Sequence, residues 1–306
     1  MAAFSFSRRQ IDWFGALSLS NQRRLMGFLF VLPALVFIIC FFLLPLGLTL
    51  WMSLHAWPLF GEPSFNGLNN YQSLLADRQF AASLRFTATY TLFVTPPIFL
   101  LGFGMALLVS NASRAVGVFR TIFFLPNVIG FSAACMLWFW MLNDQAGIIN
   151  HSLRLAGLLQ GSFNWLAHYD SALLAIIIMV VWKTSGGTML LLLIGMQSIP
   201  DELYEAAKVD GANAWQRLLH ITLPLLRRSF ALALVLSVTG SMLAFDQFSI
   251  LTAGGPQNST ISIVYWIVNT AFRSFKLGYS ASASVVLLFI LIVLNAIQLR
   301  LLRDST

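Results

Sequence analysis

The sequence predicts an all-α polytopic membrane protein with six transmembrane helices, and three observations carry that prediction. Of 306 residues, 58% are hydrophobic and only 9% are charged, with a mean hydropathy of +0.80, which excludes an ordinary soluble domain of this size. Uncharged apolar runs recur along the chain, long enough for the roughly 20 helical residues that a ~30 Å hydrocarbon core requires. The net charge of +7 is unevenly distributed, concentrating in alternate connecting segments. Cys40 and Cys135 both fall in apolar runs, so neither a disulfide framework nor a metal site is implied. The four histidines are scattered without ligand spacing.

Residues 1–25, carrying Arg8, Arg9, Arg23 and Arg24, read as a retained cytoplasmic amino terminus, because no small-residue cleavage site follows a short apolar core. Between Arg24 and His55 lie 30 uncharged residues, the first span, with Pro33 and Pro45 as bends that neighbouring helices can accommodate. His55 to Arg85 is polar and turn-rich and reads as an external loop. Phe86 to Ser113 is the second span, where Thr95-Pro96-Pro97 predicts a break near the middle. Arg114 and Arg120 bracket a short inner loop, and the third span runs from Phe119 to near Asp144. Gly147 to Asp170 is external and amphipathic around Ile148 to Leu159. The fourth span extends from Leu173 to about Met196, interrupted by Lys183 and by Gly186-Gly187. The fifth runs from Leu225 to about Ile250, with Asp246 near its outer end. Ile261 to Phe272 is apolar but too short to cross and is expected to be an outer interfacial or partly inserted helix. Gly278 to Leu299 is the sixth span, followed by Arg300, Arg303 and a cytoplasmic tail at 303–306.

In this topology 12 Lys and Arg lie inside and 5 outside, with Lys183 within the membrane. The positive-inside rule therefore places both termini in the cytoplasm, and it accounts for the basic balance without nucleic acid as a partner. No Gly-x-x-x-x-Gly-Lys-[Ser/Thr] loop occurs, so the chain has no such cradle for ATP.

The longest polar run, Ser198 to Leu226, separates the fourth and fifth spans. Pro200 and Asp201 suit a helix start, Gly211 a stop, and Ala212 to Ile221 a second short helix, with Pro224, Arg227 and Arg228 marking re-entry. The product is a helix-turn-helix hairpin on the basic side of the membrane. Its first helix has a small apolar face of Leu203, Ala206, Ala207 and Val209, while Asp201, Glu202, Glu205, Lys208 and Asp210 remain free for a partner. On the residues alone, an ordinary interfacial loop is an equal alternative.

The spacing goes further: Glu205-Ala206-Ala207, three residues, Gly211, nine residues, then Ile221-Thr222-Leu223-Pro224. This resembles the EAA motif of ABC-importer permease subunits. The segments GLNNYQSLL (67–75), FRTIFFLPNVIG (119–130) and LTAGGPQNST (251–260) also resemble sugar-type permeases, so that the likeness covers about residues 26–302. It points to the first of the two permease subunits in the maltose and glycerol-phosphate group. The resemblance implies a type I ABC importer permease fold over 26–302 in the bacterial inner membrane, with a cytoplasmic coupling hairpin at 198–224. It also implies a second homologous permease subunit, two copies of a cytoplasmic ATPase that bind the ATP and Mg, and an extracytoplasmic solute-binding protein. No cofactor is expected in this chain. Glu205, Ala206, Ala207, Asp210 and Gly211 would meet the ATPase.

For the solute, Lys183 stands out, since a mid-span ammonium is costly and must face a cavity, a partner or an interface. Val180, Lys183, Thr184 and Gly187 share one face of the fourth span, and Ser237, Ser241 and Ala244 one face of the fifth. Small polar faces suit either helix packing or a wet lumen, and on the residues alone packing is the favoured reading. By resemblance to the maltose-type subunit these positions, with Asn127 of the third span, line a sugar site. Lys183 departs from that pattern and leaves room for an anionic solute. Trp138, Trp140, Trp182 and Trp266 are available to stack on sugar rings, although none is assigned to the site. An ion-coupled secondary transporter would carry several intramembrane carboxylates, where only Asp246 qualifies, and a membrane enzyme would need a convergent acid, base or metal constellation.

Overall fold

The computed structural model describes residues 19–58, 60–110 and 114–303. Arg8, Arg9 and the tail beyond 303 lie outside the described residues. Helix α1 (Leu19–Ile38) passes through a π-helical turn at Ile39–Leu43 into α2 (Leu44–Ser53). That turn falls just before Pro45, where a missing N–H and a bulky ring disturb the regular ladder. The most apolar stretch of this first span has no buried residue, the exposure expected of a helix that meets lipid or another subunit.

The segment after it is more ordered than a loop. Strands β1 (His55–Ala56) and β2 (Ser64–Phe65) pair antiparallel, followed by α3 (Asn69–Ala76). The buried Asn70 donates to the Ser53 and His55 carbonyls at 2.8 and 2.9 Å, locking α3 to the end of the first span. Asp77 then caps α4 (Arg78–Leu108) by accepting from the Gln79 and Phe80 amides, and its second oxygen accepts from Tyr279 at 2.9 Å. Helix α4 starts before the expected Phe86, ends before Ser113 and continues through Pro96-Pro97 without the expected break.

The third span, expected as one helix, is two. Helices α5 (Arg114–Val128) and α6 (Phe131–Met141) meet at 93° around Gly130. The short α7 (Ile148–Leu155) ends earlier than its amphipathic pattern suggests and is held by buried Asn150, which bonds the Asp144 and Phe163 carbonyls and accepts from Trp165.

Helix α8 (Tyr169–Gln197) is the pillar of the fold, with 61% of its most apolar stretch buried against α4, α5 and α12. Neither Lys183 nor Gly186-Gly187 interrupts it. The glycines serve close approach instead: a Cβ on Gly186 would collide with the Phe123 carbonyl of α5, and one on Gly195 with the Ser229 side chain of α12.

After α8 come α9 (Asp201–Val209) and α10 (Ala214–Arg217), a π-helical turn at Leu218–Thr222, α11 (Leu223–Leu225) and α12 (Arg227–Met242), with a 64° bend at the entry to α12. The fifth span thus ends at Met242, not near Ile250; residues beyond it turn and form a separate π-helical turn at Phe248–Thr252. Helix α13 (Ile263–Phe272) packs on α4 and α14 (Leu277–Arg303) through Ile263 and Trp266. Among the described residues four helices are long and apolar enough to cross a membrane alone, and the two bent pairs raise the number to six.

Candidate functional site

Two features stand out, and α8 and α12 border both. The first is a cavity of about 280 Å³ bounded by α4, α6, α8 and α12. Thr184 and Gly187 of α8 line it, as do Ser237 and Ser241 of α12, so the two polar faces read from helical spacing do meet. Thr184 bonds the Val180 carbonyl of its own helix at 2.7 Å, whereas the buried Ser237 hydroxyl has no partner among the described residues. Two further polar residues complete the wall. Gln247 donates to the Tyr90 hydroxyl at 3.1 Å, both side chains are buried, and Tyr90 stands edge-on to Phe248 at 5.0 Å. Neither residue was singled out from sequence. Tyr90 had a signal, because Ser83, Thr87 and Tyr90 recur at helical spacing along a face of α4 and all three are buried. Gln247 lies in the irregular stretch past α12, which no helical period predicts.

Lys183 and Asn127 are brought together, but not at the cavity. The Lys183 side chain is 5% exposed; its Nζ donates to the Asn127 carbonyl at 3.0 Å and sits 5.6 Å from the centre of the Phe131 ring. The break after α5 leaves terminal carbonyls unpaired, and a cation at a helix carboxyl end satisfies one of them while opposing the negative pole of the dipole. Lys183 therefore joins the two halves of the broken span. Asp246 does the same for the other half, accepting from Ser132 near the start of α6 at 2.9 Å. The Asn127 side chain packs against Gly187, whose face it crowds to 3.2 Å from a would-be Cβ. Trp138 and Trp182 pair with each other and Trp266 joins Phe80, so none of these three lines the cavity.

The second feature is the hairpin α9 to α11. No residue of α9 is buried, and Val209 and Trp215 expose 87% and 65% of their surface, apolar area that the described residues leave uncovered. Its turn is nonetheless tightly built. Gly211 adopts φ +77°, its amide bonds the Lys208 carbonyl at 3.0 Å, and the Ala212 amide bonds the Ala207 carbonyl at 2.8 Å, the paired bonds of a Schellman cap. The second helix starts at Ala214 rather than Ala212, because Asn213 and Gln216 form a reciprocal capping box at 2.9 and 2.8 Å. Tyr204 and Thr222 join the two arms at 3.0 Å. The Lys208 ammonium, at 2.6 Å, holds the exposed Glu205 carboxyl below its ordinary range, first through their hydrogen bond and then through charge.

Comparison with known proteins agrees with this architecture. A family model described as "Binding-protein-dependent transport system inner membrane component" matches residues 90–304. The trehalose/maltose transport system permease protein MalF of Thermococcus litoralis is 36% identical over 272 residues, covering 88% of this chain and 90% of that protein. The sn-glycerol-3-phosphate transport system permease protein UgpA of Escherichia coli O157:H7 is 33% identical over 283 residues, covering 91% and 94%. A chain from the crystal structure of a bacterial ABC transporter involved in the import of the acidic polysaccharide alginate superposes with a TM-score of 0.81 at 21% identity, covering 94% of this chain and 98% of that one.

Proposed function

The chain belongs to the family of binding-protein-dependent transport system inner membrane components, and from that premise we propose that it is one of two permease subunits of an ATP-driven importer for a sugar or sugar-like solute. The observation that carries the mechanism is one of connectivity. The hairpin's first arm follows directly from α8 and its second arm runs into α12, and these are two of the helices that wall the cavity. A rigid displacement of the hairpin is thereby delivered to Thr184 on one side and to Ser237 and Ser241 on the other.

In this reading Glu205, Ala206, Ala207, Asp210 and Gly211, with the exposed Val209 and Trp215, seat the hairpin in a groove of a cytoplasmic ATPase subunit. ATPase closure moves the hairpin and swings the spans between inward-open and outward-open. The cavity is this chain's half of a passage completed by a second, homologous permease subunit, and an extracytoplasmic solute-binding protein delivers the solute. In this reading both termini lie in the cytoplasm, which the uneven distribution of Lys and Arg among the connecting segments supports. The test is uptake by the assembled importer in proteoliposomes. Transport should require ATP and stop when the ATPase partner loses its catalytic residue, whereas solute movement by this chain alone without nucleotide would overturn the reading.

A further inference from the structure

Relatives at similar identity are named for a neutral disaccharide and for a phosphate ester, so family membership leaves the charge of the solute open. Resting on the reading of the cavity as this chain's half of the passage, we propose that it is built for uncharged polyhydroxylated solutes and turns anionic ones away, with Gln247 and Tyr90 as the pair that sets this preference.

Among the described residues that line the cavity there is no Lys, Arg, His, Asp or Glu. Lys183, the one described cation in the middle of a span and next in sequence to cavity-lining Thr184, is spent elsewhere. It is buried, bonded to the Asn127 carbonyl that terminates α5, and seated over the Phe131 ring; that ring lines the cavity and Lys183 does not. Recruiting its ammonium for an anion would leave the carbonyl at the end of α5 unpaired. The charged neighbour on the opposite wall has the wrong sign, since Asp246 immediately precedes Gln247. On this chain's wall an anion would lose its hydration without meeting a cation.

The groups that are present match hydroxyls instead. One Gln247 N–H is used on Tyr90, leaving its second N–H and its carbonyl oxygen, while the Tyr90 hydroxyl, having accepted, can still donate. The unpartnered Ser237 hydroxyl supplies both roles as well. A sugar hydroxyl also donates and accepts, so such a wall can satisfy it in full. A carboxylate or phosphate dianion only accepts, and half of the wall's capacity would be wasted on it. The Phe131 ring gives the apolar face of a pyranose a surface to cover.

The test uses the complete importer, with its partner permease, ATPase and binding protein, and labelled maltose, trehalose and glycerol against sn-glycerol 3-phosphate and an oligouronate. ATP-dependent uptake of one or more neutral probes and of neither anion is expected. Lys183→Met, where it assembles, should retain that preference for neutral over anionic probes even if the structural joint it removes lowers the overall rate, and Gln247→Leu should raise the half-saturating concentration of the neutral probe about tenfold, the loss of one good hydrogen bond. ATP-dependent uptake of either anion overturns the proposal while leaving the import function intact, the more sharply if Lys183→Met abolishes it. Uptake without ATP overturns the import function itself, and no ATP-dependent uptake of any probe counts against both. Should Lys183→Met fail to assemble, the wild-type profile decides alone.

Discussion

The hairpin between α8 and α12 and the cavity those same helices wall are made in opposite ways. The hairpin is contiguous in sequence, and its order comes from local devices: a left-handed glycine, a Schellman cap and a capping box. Nothing in its first helix is buried. The cavity draws on four helices and an irregular turn, and its key contact, Tyr90 to Gln247, joins residues 157 positions apart. A locally encoded element can move as a rigid unit without disturbing the core, whereas a site assembled from distant walls changes shape when any wall moves. The arrangement suits a lever and a load.

The largest effect expected from breaking this contrast is on the lever. Gly211 holds φ +77° with open space where a Cβ would be, so the obstacle to substitution is conformational rather than steric. Gly211→Val places a β-branched residue in the left-handed region at a cost of about 1–3 kcal/mol. Maximal uptake should fall at least about tenfold with half-saturation unchanged and the complex still assembled, as read by co-purification. Gly211→Asn, which tolerates that region, should restore most of the rate. A changed half-saturation in Gly211→Val would mean that hairpin and cavity are not separable.

The converse substitution sharpens the contrast from the other side. Ser237→Ala removes a hydroxyl that has no partner among the described residues, so it should cost little stability. It should raise half-saturation severalfold and leave the ATPase rate elicited by the loaded binding protein within about twofold. Unaltered half-saturation would remove Ser237 from the solute path.

How much could be read beforehand follows the same division. The hairpin's limits, its stop at Gly211 and its re-entry near Pro224 are legible because each signal acts within a few residues of its effect. Even there Asn213 went unused, although Asn-x-x-Gln is the reciprocal capping pattern. Helical spacing brought Thr184, Ser237 and Ser241 to common faces, yet it cannot say what stands opposite a face. Lys183 shows the consequence: a mid-span ammonium suggests a solute contact until a break in another span presents it with the Asn127 carbonyl. That break was hidden because Thr121 to Met141 carries no charge and reads as one span in one dimension, turning by 93° only in three. The paired prolines of α4 misled in the other direction, since packing against α8 carries the helix straight through them.

Asn213→Ala should have an intermediate effect, removing both halves of the capping box at about 1 kcal/mol. The second arm should fray from Ala214, which hydrogen exchange at the Trp215 to Arg217 amides would register. Maximal uptake should fall less than in Gly211→Val, and Asn213→Ser should recover it. Normal exchange protection would show that α12, not the cap, holds this arm in place.

The smallest effect is expected where the motif is most conspicuous. Glu205 and Lys208 form an ion pair at 2.6 Å, but their side chains are 67% and 51% exposed, so water and salt screen the attraction. The carboxyl is held below its ordinary range, and a depressed carboxyl contributes above its unfolded value and loses that contribution only as pH falls through the lower folded value. Between pH 8 and pH 6 Glu205 remains ionised throughout. Lys208→Met should accordingly leave the melting temperature unchanged, and the rate of uptake should show no titration in this window that disappears in Glu205→Gln. If such a titration is found, the proton of Glu205 takes part in the coupling cycle. The hairpin would then be more than a lever, because its surface chemistry and not only its rigidity would set the rate.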